Sequence, residues 1–170
     1  MIFFNKWMFS PPKRPVERFR QDERNLLMSS ISGHEIHCQM TYPHDKPTSL
    51  QDYHGTENII IFMHGNADDV RSCYTQWLAN DLSCNVVTFD YPYGFNSGTD
   101  NTSEEGMVEA AECALELVTN CLKHDVNTVI LFGKSIGSPA VSLAVCLLLL
   151  DPKTYSLSEL FFLFCFANTS

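Results

Sequence analysis

A serine between two glycines, Gly133-Lys134-Ser135-Ile136-Gly137, has the spacing for nucleophilic chemistry. Ser135 follows the apolar run Val129–Phe132 and precedes a stretch of helical length. A sharp strand-to-helix turn there pushes the serine into a strained conformation with its hydroxyl exposed. Gly133 and Gly137 leave room for the neighbouring chain, and the start of the helix puts a positive dipole end near any developing oxyanion. The Ile136 N–H points into the same space. After the run Ile59–Met63 comes His64-Gly65-Asn66-Ala67, a turn able to aim a backbone N–H at that point. Asn66 is the better donor and Ala67 the fallback. His64 is expected to orient the loop rather than move a proton. A third segment, Asp90-Tyr91-Pro92-Tyr93-Gly94 through Gly98, follows the run Val86–Phe89. Turns at strand C-terminal ends line the ligand crevice of open α/β sheets, so Tyr91 and Tyr93, with His64 and Gly65, are read as crevice-lining.

Three apolar runs must carry these turns. Ile59–Met63 and Val129–Phe132 lack a polar member, and Val86–Phe89 has only Thr88. Runs without a polar face suit strands buried on both sides, as in a parallel sheet covered by helices. Between them the period becomes helical. Val70, Cys73, Tyr74, Trp77 and Leu78 form one stripe; Met107, Val108, Ala111, Leu115, Val118 and Leu122 form another. The second is preceded by Thr102 and Glu105, which fit a capping box. A third helix is expected from Ile136 to Leu150, ending before Pro152. Asn25–Ile31 and Glu35–Tyr42 read as an antiparallel hairpin turning at Gly33, and Leu160–Phe166 as a last buried strand. The fold class is α/β: a mostly parallel sheet of about six strands flanked by helices, with an N-terminal antiparallel hairpin. Residues 1–24 are read as an extension and 25–170 as the domain.

The 170 residues are one domain's worth, and 45% apolar with 18% charged is globular composition. A net charge of −9 repels phosphate backbones, so nucleic acid is not an expected partner. The seven cysteines are odd in number, scattered, and form no C-x-x-C pair, a poor pattern for zinc or disulfides. A reducing compartment, the cytoplasm, is the simpler reading. Met1–Phe9 is apolar but short and is interrupted by Lys6, which makes a weak signal peptide. We read it as a segment packed on the domain. The alternative is an anchor at a membrane surface, with Lys13, Arg14, Arg18 and Arg20 behind the aromatic start. No metal or organic cofactor is implied.

The three motifs, in this order, resemble the α/β-hydrolase superfamily. Ile61–Ala67, Thr88–Gly98 and Val129–Gly137, with Phe9-Ser10-Pro11-Pro12, are most similar to the α/β-hydrolase-domain protein depalmitoylases and their serine aminopeptidase-like relatives. The resemblance covers roughly residues 9–150. It implies a serine hydrolase of acyl esters or thioesters: Ser135 attacks the acyl carbon, and the Asn66 and Ile136 N–H groups hold the oxyanion. Two departures stand out. This chain reads Tyr93-Gly94-Phe95 where family members often carry Gly-Tyr-Gly, and its first cysteine is Cys38, so it lacks the N-terminal cysteine cluster of the depalmitoylases.

The family's order is Ser, then an acid, then His. After Ser135 the only acids are Asp151 and Glu159, and no histidine follows. Neither acid is where the family places its own. Of the earlier histidines, His34, His37, His44 and His54 belong to the hairpin and the loop after it, and His124 precedes the nucleophile strand at its far end. None is expected to reach Ser135. The expectation is a fragment or truncated product of an active hydrolase, impaired by the missing acid and base. The alternative is a shortened, non-catalytic module that pairs its exposed sheet edge with a protein partner.

Overall fold

The computed structural model describes residues 24–44, 53, 57–66, 68–92, 103–150 and 161–165. Residues 1–23 of the N-terminal extension, Ala67, Tyr93, His54, Thr102, Asp151 and Glu159 lie outside them.

In chain order the elements are β1 (Asn25–Ser29), β2 (Glu35–Thr41), β3 (Ile59–Met63), α1 (Cys73–Leu82), β4 (Asn85–Phe89), α2 (Glu104–Glu116), β5 (Val129–Lys134), α3 (Gly137–Leu150) and β6 (Phe161–Cys165). They form one six-stranded sheet in the order β1-β2-β4-β3-β5-β6. β1 and β2 are the antiparallel hairpin, and β2 runs antiparallel to β4. The β3–β4, β3–β5 and β5–β6 pairs are parallel. The expected hairpin turn is present, with Gly33 at φ +81°, a conformation that glycine adopts without penalty.

The continuous apolar runs are explained by a sheet covered on both faces. Ile59, Ile61, Met63, Val87, Phe89, Val129 and Leu131 enter the larger core, with Ala110, Ala111 and Ala114 of α2 and Ala140 and Val141 of α3. Their alternates Ile60, Phe62, Val86 and Phe132 enter a smaller core with Leu78 and Ala79 of α1. Adjacent residues of a strand point to opposite faces, so a strand between two helix layers needs apolar side chains at every position. A fully buried aliphatic residue such as Leu131 or Ile61 contributes on the order of 1.5–3 kcal/mol.

Two helix expectations are corrected. Helix α1 starts after Ser72, whose side chain accepts from Tyr74 N, so Val70 is buried but precedes the helix. The inward arc of α1 is Thr75, Leu78 and Ala79, whereas Trp77 is 54% exposed. The large rings of Tyr74 and Trp77 outweigh Thr75 and Ala79 in a periodicity count, yet they sit on the margin of the packed face. Helix α2 is capped by Ser103, which accepts from Gly106 N at 3.1 Å, one residue beyond the expected Thr102 start.

Candidate functional site

β3, β4 and β5 are parallel neighbours, so their C-terminal ends lie at one edge of the sheet. That edge collects His64-Gly65-Asn66 after β3, Asp90-Tyr91 after β4, and Ser135-Ile136 after β5. Ser135 is exposed and sits at φ +54° in the left-handed region, which costs a non-glycine residue about 1–2 kcal/mol.

Close packing around Ser135 holds this conformation. A Cβ on Gly133 would lie 2.5 Å from Gly137 O, and one on Gly137 would run into Met63 O. The turn is closed by Ser138 N donating to Ser135 O at 2.9 Å and by Ser138 Oγ donating to Gly133 O at 3.1 Å. The β5–α3 turn is thus pressed against the end of β3. On the other side a Cβ on Gly65 would meet Ser135 Cβ at 3.7 Å, which brings the two sequence motifs into direct contact. Ile136 is partly buried against the larger core, and Asn66 is partly buried at the mouth of its loop.

His64 and Tyr91 occupy a different place from the crevice wall expected for them. Both are 0% exposed, with ring centroids 4.5 Å apart. Tyr91 Oη donates to His64 O at 3.0 Å, and His64 Nδ1 faces Gly65 O at 2.8 Å. A carbonyl can only accept, so Nδ1 carries the ring proton and Nε2 is bare. Burial holds the His64 pKa below its ordinary value, against opposing pulls from the Gly65 carbonyl, Asp68 and Asp69. His64 is therefore neutral near pH 7, and the 3.9 Å approach of its Nε2 to Asp90 Oδ1 is no ion pair. Asp90 Oδ1 accepts from Val70 N at 3.0 Å, tying the end of β4 to the segment after the Gly65 loop. Sequence reasoning gave Asp90 no such bracing role. The signal available for it was an acid placed directly after an apolar strand, where a buried carboxylate must find N–H partners.

The other described histidines lie on other parts of the chain. His34 Nδ1 lies 3.2 Å from Glu109 Oε2, tying the hairpin turn to α2. His37 is on β2, opposite Leu27. The backbone N–H of His44 donates to Asn80 Oδ1 on α1 at 3.1 Å. His124 sits at the N-terminal end of β5, bonded to Tyr53 Oη and, at 2.8 Å, to Thr128 Oγ1. Thr128 Oγ1 donates to Asp125 O, so it accepts from His124 Nε2, and Nδ1 accepts from Tyr53. Among the described residues no cluster of three or more His, Cys, Asp or Glu could hold a metal ion.

An open α/β sheet with an exposed serine at the turn after a central strand, against a His-Gly loop, defines the class of protein. No protein-family model matches the chain. A protein of Acanthamoeba polyphaga mimivirus named as an α/β hydrolase is 28% identical over 142 residues, 78% of this chain and 50% of that protein. The α/β-hydrolase domain-containing protein aho-3 of Caenorhabditis elegans is 34% identical over 50% of this chain and 26% of its own length. The α/β-hydrolase domain-containing protein 17C of Xenopus tropicalis is 32% identical over 53% and 30%. The chain thus spans half or less of the length of these curated relatives. In fold it is similar to an esterase from Pyrobaculum calidifontis, with a TM-score of 0.57 at 17% identity over 81% of this chain and 43% of that one. It is also similar to a bacterial heroin esterase, with a TM-score of 0.61 at 16% identity over 86% and 46%. The chain has the α/β-hydrolase fold, and the curated proteins it is similar to are named as α/β hydrolases.

Proposed function

We propose that this chain carries the nucleophile half of a serine hydrolase acting on acyl esters or thioesters. Ser135 is the nucleophile, and the N–H groups of Asn66 and Ile136 are the oxyanion donors. One observation supports this above the rest: Ser135 is exposed in a left-handed conformation, against Gly65 and in a turn whose Gly137 is pressed on the end of β3. A serine needed only for packing would have no reason to hold that strain. Protein S-acyl thioesters are the substrate class suggested by the likeness to the depalmitoylase group.

This reading assigns no general base among the described residues: the rings of His34, His64 and His124 are bonded to partners other than Ser135, and no histidine of the 170 residues follows Ser135. An unactivated serine keeps its proton and is a weak nucleophile. Losing a triad member leaves about 10³–10⁴-fold acceleration over water where that has been measured. The chain should therefore react slowly with a fluorophosphonate probe, and Ser135→Ala should abolish labelling. Equal labelling of both proteins would overturn the assignment. A second reading, a non-catalytic module that binds a protein partner along β6, is favoured by the position of that strand at the margin of the sheet among the described residues. It predicts a folded, soluble chain that binds one partner saturably and shows no Ser135-dependent labelling. Ser135-dependent labelling without saturable binding would exclude it.

A further inference from the structure

The residue immediately before Ser135 points away from the crevice. Along β5, Val129 and Leu131 enter the larger core, while Ile130 and Phe132 face the smaller one beneath α1. Lys134 continues that second series. Its Nζ lies 3.9 Å from the centroid of the Tyr74 ring on α1. Tyr74 stacks on Phe62 of β3 at 6.3 Å, and Phe62 packs against Phe132 of β5 at 5.6 Å. Trp77 closes the row edge-on to Tyr74 at 6.0 Å. Lys134 therefore caps an aromatic row linking α1 to both central strands.

We propose that Lys134 is a positioning residue: its ammonium, held on the Tyr74 ring, fixes the last residue of β5 and so sets the aim of Ser135. The proposal rests on the reading of Ser135 as nucleophile. The turn has two flanks. On the α3 flank Gly133, Gly137 and Ser138 are packed or hydrogen-bonded. On the α1 flank the Lys134 side chain is anchored by the ring contact. A cation on an aromatic face is attracted by the ring quadrupole, and at a partly exposed site that contact is worth about two- to fivefold in an equilibrium. Holding Lys134 restricts the peptide that leads into the left-handed Ser135, whereas a flexible uncharged side chain leaves it free to rock.

The test uses the 170-residue chain and two readouts. One is the exchange rate of the Ser138 amide, which donates to Ser135 O across the turn; the other is the rate of fluorophosphonate labelling. Lys134→Met and Tyr74→Leu should speed Ser138 exchange about two- to fivefold and slow labelling by a similar factor. Lys134→Arg and Tyr74→Phe keep a cation and a ring, and should restore both. The amides of Leu131 and Val87 in the core should exchange as in the parent chain. If Lys134→Met leaves Ser138 exchange unchanged, or if every core amide speeds up equally, the positioning role is overturned. If the parent chain shows no Ser135-dependent labelling, the hydrolase reading fails on its own, and the exchange data alone decide whether the clamp exists.

Discussion

At the scale of single residues, the site is a set of close approaches that permit one backbone conformation. Three glycines surround Ser135, and they are not equivalent. Positions 133 and 137 have no room for a Cβ, since backbone atoms that cannot move aside occupy the space. Gly133→Ala and Gly137→Ala should each destabilise the chain by about 3 kcal/mol or more, the upper range for overpacking. At position 65 an added methyl would make ordinary contact at 3.7 Å with Ser135 Cβ. Gly65→Ala should therefore cost less than about 1 kcal/mol, while crowding the hydroxyl and slowing its labelling. Urea titration of the three variants would check the order, and equal losses at 65 and 137 would contradict it. Ser135 itself supplies a complementary check. Its φ of +54° suits glycine better than any other residue, so Ser135→Gly should be more stable than Ser135→Ala by about 1 kcal/mol. A more stable alanine variant would mean that the left-handed turn is not the ground state.

At the scale of elements, what braces the site is hydrogen bonding between loops that the sequence places far apart. The loop after β3 is held from below by Tyr91, whose hydroxyl satisfies the His64 carbonyl. Tyr91→Phe removes that donor and leaves the carbonyl buried without it. The expected loss is about 1–3 kcal/mol by chemical denaturation, with faster exchange in the 64–66 segment. A Tyr91→Phe chain as stable as the parent would show that the bond contributes nothing net. The same comparison shows what could be read in advance. The strands and the Ser135 turn were legible because they are local: an apolar run of strand length, followed by a glycine-flanked serine, has few other uses. The fully buried places of Tyr91 and His64 were not legible. Both residue types are amphipathic, and whether the polar end meets solvent or a carbonyl depends on a neighbouring strand, not on the residues beside it. The margin of α1 was misjudged for a related reason. Tyr74 and Trp77 supply most of the apolar surface in the stripe, but the helix turns Thr75 and Ala79 to the sheet because small side chains allow close approach, leaving Trp77 half exposed.

At the scale of the whole molecule, the histidines set how stability varies with acidity. His37, His64 and His124 all have pKa values held below the ordinary 6.5, in each case chiefly by burial. Burial penalises the imidazolium, so the folded chain keeps these rings neutral at a pH where the unfolded chain protonates them. The unfolded state then binds more protons, and by linkage its free energy falls relative to the folded state as pH drops. The stabilising contribution is complete above about pH 6.5 and is progressively lost below it, until the depressed folded values are reached. Each ring adds a slope of up to about 1.4 kcal/mol per pH unit within that window. His64 and His124 should dominate, since they are 0% and 5% exposed and their hydrogen bonds define one neutral tautomer. Protonating His124 would put an N–H against Tyr53 Oη, which now donates to that nitrogen, so the bond would have to reverse. Glu109 acts in a lower range: the Ser32 hydroxyl that it accepts from, together with Ser30 and His34, keeps its carboxyl below the ordinary value, so what it contributes is lost only as pH falls through the carboxylate region. The urea midpoint should therefore be flat from pH 8 to about 6.5 and fall steadily toward pH 5, before Glu109 responds. His124→Gln keeps a hydrogen-bonding side chain that cannot take up a proton, and it should make the fall between pH 6.5 and 5 shallower. A midpoint that stays level to pH 5, or a variant with an unchanged slope, would mean that these rings are not held neutral by the fold.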